Sequence, residues 1–272
     1  MRSSRFSFES RLGIIYGMEV KRLLRSRRLK LMTLLMFLPV IVYFFTHEEI
    51  TEYSTRALRI SFQVNFSTYL VNFWASVIGQ LVVIILMSEL LGSEIDKGTI
   101  RVLLTKPVRK SELVIGKFLG GLTGMLVVFG LPYLVMQIYM VLLYKQGFTG
   151  LRATFGDLLY SLEVTLLLLG SLGAFAMALS VVLSRPLYAS LASFGVIFVA
   201  QFILPQLPFF DDPERFTLNY QLGVLLRDRF TLHMGLDVYK GDPSTTLVFF
   251  ASVMLLSLIL AILGLYRREY RG

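Results

Sequence analysis

Residues 89–117, reading ELLGSEIDKGTIRVLLTKPVRKSELVIGK, sit between two of the longest apolar runs of the chain, at 68–91 and 119–143. Each run is long enough to cross a bilayer as a helix, for which roughly 17–25 residues suffice. A backbone in lipid finds no water to bond and must satisfy its own amides, so such runs become helices. The stretch between them carries alternating charges, a Gly-Thr pair, a Lys-Pro step and a second basic cluster. It is therefore where the chain leaves lipid and turns back.

The same apolar pattern recurs. Expected spans are 29–45, 68–91, 119–143, 158–183, 187–209 and 246–266, which gives an all-α polytopic membrane protein with six transmembrane helices. The composition agrees: 55% of the 272 residues are hydrophobic and 17% charged, against about 25% charged in an ordinary soluble domain. That much apolar surface does not fit inside one soluble core of this size. The chain has no cysteine, which excludes disulfides, thiolate metal sites and cysteine nucleophiles.

Individual spans carry further signals. Pro39 lacks an amide hydrogen and is expected to bend the first span. Residues 46–67 read as a polar connection, and Tyr69 and Trp74 as interfacial aromatics opening the second span. Gly116, Gly120 and Gly124 form two overlapping G-x-x-x-G steps that allow close helix approach, and Lys117 is placed to snorkel from the start of its span. The link Ser184, Arg185, Pro186 is so short that the fourth and fifth spans must be antiparallel neighbours. Pro205 and Pro208 suggest a broken end to the fifth span. The loop 211–243 holds a helical pattern at 218–232, in Leu222, Leu225, Leu226 and Phe230.

Residues 1–30 contain nine basic residues against two acidic ones, a local charge of +7. Leu12, Ile15, Tyr16, Val20, Leu23 and Leu24 recur at helical spacing opposite the cations, so residues 1–28 are expected to form an amphipathic interfacial helix. The basic region is too long for a secretory signal peptide. On the same side fall residues 92–112, with five cations against three acids, together with Arg185 and the basic C-terminus. The other side receives 46–67 at -1, 144–157 at +1 and 211–243 at -2. Positive-inside bias then places both termini in the cytoplasm of a multi-pass cell-membrane protein. The overall charge of +9 follows from this topology rather than from nucleic-acid binding.

Catalytic constellations are missing from the sequence: there is no H-E-x-x-H, no G-x-S-x-G and no G-x-x-x-x-G-K-[ST]. The two histidines, His47 and His233, lie far apart on expected outer loops. No enzymatic activity, bound cofactor or metal is expected of this chain. Glu89 and Glu163 fall close to or inside apolar runs, which makes them candidate intramembrane polar residues. Within 92–112 a helix is expected around 93–104, capped by Ser93, with Glu94 and Asp96 at its positive end. Glu94, Lys97 and Arg101 make a charged stripe beside Ile95, Ile100 and Leu103, a mixed surface suited to a soluble partner.

SEIDKGTIRVLLTKPVRKSELVIGK resembles the signature of type-2 ABC transporter permeases, in which an acid, Gly-Thr, Leu-Leu, Pro and Arg recur between the second and third spans. Glu94, Gly98, Thr99, Leu103, Leu104, Pro107, Arg109 and Lys117 match position by position, and Lys106 stands where a smaller residue is common. The resemblance implies an ATP-driven exporter working by alternating access, with two permease chains (here a homodimer) and two separate ATP-binding subunits that carry ATP and Mg. It makes residues 92–112 a cytoplasmic coupling region with a coupling helix, whose contact residues would be Glu94, Asp96, Lys97, Gly98, Thr99, Arg101, Leu103, Leu104, Pro107 and Arg109. The transported substrate is not implied. Two rival readings are an ABC membrane subunit serving assembly or signalling without net transport, and an ion-coupled secondary transporter or channel.

Overall fold

The computed structural model describes residues 8–47, 50, 52–99, 109–206, 215, 217–232 and 234–269. Every regular element among them is helical. In chain order these are α1 (Phe8–Arg25), α2 (Arg27–Met36), α3 (Leu38–Thr46), α4 (Thr55–Tyr69), α5 (Val77–Asp96), α6 (Lys110–Leu143), α7 (Gly147–Leu183), α8 (Pro186–Phe198), α9 (Leu218–Arg229) and α10 (Pro243–Glu269). Among the described residues six segments are long and apolar enough to cross a membrane: Arg27–Thr46, Val77–Asp96, Lys110–Leu143, Gly147–Leu183, Pro186–Ile203 and Pro243–Arg267. The six-span expectation holds, but the second, third and fourth spans begin at Val77, Lys110 and Gly147 instead of 68, 119 and 158.

The first change concerns 46–67. Instead of a polar connection it contains α4, which continues through a π-helical turn at Leu70–Trp74 and a break at Ala75–Ser76 into α5. Leu58, Phe62, Phe66 and Leu70 recur every four residues and are wholly buried, which gives α4 a core-facing side despite its polar composition. Its polar side chains are absorbed locally: Asn65 donates to Ser61 O, Ser67 to Gln63 O and Thr68 to Val64 O.

Trp74 is also corrected. Far from lying at an interface, it is fully buried and donates Nε1–H to the Met36 carbonyl at 2.9 Å. That carbonyl sits at the junction of α2 and α3, where Pro39 interrupts the helical ladder. The start of the fourth span moves furthest: α7 begins at Gly147, eleven residues before the expected 158. At 37 residues it is about 55 Å long, so it projects well past a hydrocarbon core of about 30 Å.

α5 and α7 form the centre of the bundle, packed on each other, and α8, which follows α7 through the short link at Ser184 and Arg185, packs on both. In α5 and α7, 61% of the apolar window is buried; in the fifth and sixth segments the share is 17%. The last two therefore show most of their apolar surface outward, as lipid-facing helices do. α8 ends in a π turn at Val199–Ile203 and a 3-10 turn at Leu204–Gln206, the broken end anticipated from Pro205; Pro208 lies outside the described residues. The helix expected in the long loop is α9, capped by Thr217 and held to α7 by a Tyr160 hydroxyl donating to Leu225 O at 2.8 Å.

Candidate functional site

At one end of the bundle the N-terminal helix lies against α6 rather than standing apart from the spans. The Gly116 and Gly120 pair makes this approach possible. A Cβ on Gly116 would come within 2.8 Å of Ile15, and one on Gly120 within 2.7 Å of Glu19 Cγ. Gly116 and Gly120 thus dock the amphipathic helix, while Gly124 faces Leu23 of that helix together with Leu29 of α2 and Leu86 of α5.

This docking seals a charge network. Lys117 is 2% exposed and donates to Glu19 Oε2 at 2.9 Å and Glu94 Oε1 at 2.6 Å. Arg22 pairs with Glu19 and, at 3.5 Å, with Glu94. Two cations balance two carboxylates, so the cluster is neutral and no charge is stranded in low dielectric. The expectation that Lys117 snorkels is therefore corrected: the helix docked over it gives its ammonium two carboxylates in the interior. Beside it, fully buried Glu112 accepts the Arg109 amide at 2.9 Å, the reciprocal half of a capping box at the start of α6, with Arg11 Nε at 3.8 Å.

Other pairs extend the network around this end. Arg28 at the start of α2 pairs with Glu89 of α5. Asp96 faces Arg185 of the α7–α8 link at 3.8 Å. The Lys110 ammonium lies 4.4 Å above the Tyr266 ring of α10. The basic N-terminal helix, the end of α5, the start of α6, Arg185 and the end of α10 thus gather at one end, as the charge pattern required.

The expected contact residues divide into three groups. Glu94 lies inside the ion network, at the end of α5. Asp96, Lys97, Gly98, Thr99 and Arg109 are exposed beside it. Arg101, Leu103, Leu104 and Pro107, with most of the expected coupling helix, lie outside the described residues. Ser93 does not cap a new helix: its hydroxyl donates to Glu89 O at 2.6 Å within α5, which runs unbroken to Asp96. The stop is Gly98, at φ +68, where a side chain would strain the left-handed backbone.

Of the two intramembrane candidates, Glu89 has its partner in Arg28, whereas Glu163 is exposed on α7. The buried acid near the opposite end is instead Asp157, 1% exposed, assigned from sequence to a loop. It receives Gln63 Nε2 at 2.9 Å and faces Arg59 Nε at 3.2 Å and Arg229 Nε at 3.4 Å, joining α4, α7 and α9. Glu19 and Asp157 were both missed. A retrievable signal existed for Glu19, an acid on the inner side of a strongly basic helix.

A model of a family described as ABC-2 family transporter protein matches residues 14–219, more than half of the chain and nearly all of it from α1 to the start of α9. No curated protein matches the chain.

Proposed function

The chain belongs to the ABC-2 family of transporter proteins, and from that premise we propose that it is the membrane subunit of an ATP-driven exporter. ATP hydrolysis is supplied by a separate P-loop subunit that carries ATP and Mg. The family is one of membrane subunits, and the chain has no P-loop sequence of its own. In this reading two permease chains work with two ATP-binding subunits. Both termini and residues 92–112 face the cytoplasm, and alternating access carries the substrate outward.

The observation that carries the reading is the position of the buried network beneath the family-like stretch. Lys97, Gly98, Thr99 and Arg109 form an exposed rim, and directly under it Lys117 binds Glu19 and Glu94 at once. A force applied at the rim reaches α1, α5 and α6 together, because separating any one of them would strand a buried charge. Glu94 then transmits force from inside, while Asp96, Lys97, Gly98, Thr99, Arg101, Leu103, Leu104, Pro107 and Arg109 meet the ATPase.

The test is site-directed crosslinking in membranes containing the ATPase, from Lys97→Cys and Arg109→Cys, with Arg227→Cys in α9 as the control. Crosslinks to the ATPase from the first two positions and none from the third are expected. Crosslinks confined to Arg227→Cys would refute the docking surface.

A further inference from the structure

The second polar feature of the molecule lies at the end away from the ion network, and the transport reading does not use it. A half-enclosed cavity of 760 Å³ is bounded by the end of α3, one side of α4 and the end of α6. Ligand sites commonly measure about 300–1,000 Å³. Along α4 its wall is a ladder of polar side chains, Arg56, Ser61, Asn65 and Tyr69, spaced five, four and four residues apart. Ser61, Asn65 and Tyr69, four residues apart, neighbour one another along the helix, whereas Arg56 stands about 140° round from Ser61 on the first turn; the wall runs about 20 Å. The adjoining side of the helix holds the buried Leu58, Phe62 and Phe66. α4 thus stands between an apolar core and a cavity of mixed lining, in which Ile60 and Val64 alternate with Ser61 and Asn65.

The cavity crosses the level at which the first span ends. Its floor is Tyr43, inside the apolar segment Arg27–Thr46, with Tyr69 edge-on at 6.1 Å. Its mouth is formed by His47, Glu52 and Arg56, beyond that segment. Tyrosines at this depth suit a molecule whose polar head meets water and whose body enters lipid. The mouth carries charges of both signs, so a purely anionic head meets Glu52 and a purely cationic head meets Arg56. A head bearing both charges matches both. We propose that this cavity binds a zwitterionic amphiphile of the phosphoethanolamine class, with its phosphate toward Arg56 and its ammonium toward Glu52. The site is a property of this chain alone and holds whatever the chain exports.

The full chain, purified in detergent, is tested by equilibrium binding of lysophosphatidylethanolamine, with lysophosphatidylglycerol and glycerophosphoethanolamine as comparisons. Saturable binding of one lysophosphatidylethanolamine per chain is expected, with lysophosphatidylglycerol at least about tenfold weaker, the value of one charged contact. Arg56→Ala, at an exposed position that leaves the fold intact, should weaken binding by about tenfold. Ser61→Leu with Asn65→Leu, which fills the cavity with good helix formers, should abolish it. Binding of glycerophosphoethanolamine comparable to that of the lysolipid supports the head-group site and assigns it a soluble ligand; its failure to bind assigns the site to a membrane lipid. No saturable binding, equal binding of lysophosphatidylglycerol, or binding unchanged in Arg56→Ala and in the filled cavity would overturn the proposal.

Discussion

Lys117→Met tests the ion network most directly. In the native protein the ammonium is 2% exposed and is held by Glu19 at 2.9 Å and Glu94 at 2.6 Å. Methionine fills similar space but leaves two carboxylates facing one remaining cation, Arg22, whose side chain is 45% exposed. Breaking a buried pair from one side costs about 3–5 kcal/mol. Because Arg22 still contacts both acids, the expected loss lies at the lower end, about 3 kcal/mol. Adding Glu19→Gln removes one of the stranded charges, so the double variant should recover about 1–2 kcal/mol relative to additivity. Denaturant titration in detergent gives both values. Limited proteolysis gives the location, since cleavage within residues 8–25 should appear before the bundle unfolds. A Lys117→Met loss below about 1 kcal/mol, the range of an exposed surface pair, or strict additivity with Glu19→Gln, would refute a buried network that ties α1 to α5 and α6.

Gly120→Ala places a Cβ 2.7 Å from Glu19 Cγ and should cost about 1–3 kcal/mol by overpacking. Gly13→Ala, on the same helix pair with nothing within 4 Å, should be neutral or gain up to about 1 kcal/mol; paired melts compare the two. Asp157→Asn removes the charge held between Arg59 and Arg229 and should cost about 1.5–3 kcal/mol. Faster amide exchange in α9 would locate the effect. Asp242, at the start of α10, is held down to about 2 by hydrogen bonds from the Ser244 and Thr245 hydroxyls, aided by their backbone amides. Its folded value lies below the ordinary 3.8, so its capping is complete above that pH and is lost as pH falls through about 2. Amide exchange in the first turn of α10 should rise in that acid window, and Asp242→Ala should show the same fraying at neutral pH. Gln80 and Gln201 exchange amide hydrogen bonds between α5 and the π turn after α8, at 3.0 Å in the better direction. Gln80→Leu should therefore raise the yield of cleavage near 199–206 without unfolding the centre.

What could be read from the sequence depended on whether the signal was local. Six spans, the break at Pro205, the helix at 218–229 and the gathering of basic segments at one end follow from runs of apolar residues and charge counts, both properties of short windows. α4 escaped because its polar residues suggested water, whereas four buried residues at fourfold spacing, closed over by Trp74 and Tyr133, gave it a core side. Trp74 was placed at an interface by residue type. Its actual partner, the Met36 carbonyl, is 38 residues away, a pairing that no local pattern contains.

The charged residues show the same division with more at stake. A lone lysine before an apolar run has two outcomes, snorkelling to water or pairing inside, and composition near Lys117 does not separate them. The deciding facts are that Gly116 and Gly120 admit another helix, and that this helix brings an acid, Glu19, 98 residues away in sequence, to within 2.9 Å. A carboxylate and an ammonium buried together are tolerable only when each supplies the other's missing solvation. Small residues on α6, an acid on the inner side of a basic helix and a lysine between them therefore belong to one constraint, and changing any one alters the requirement on the other two. The end of α5 takes part in that constraint: its acid, Glu94, joins the exposed residues Asp96 to Thr99 to the buried charges.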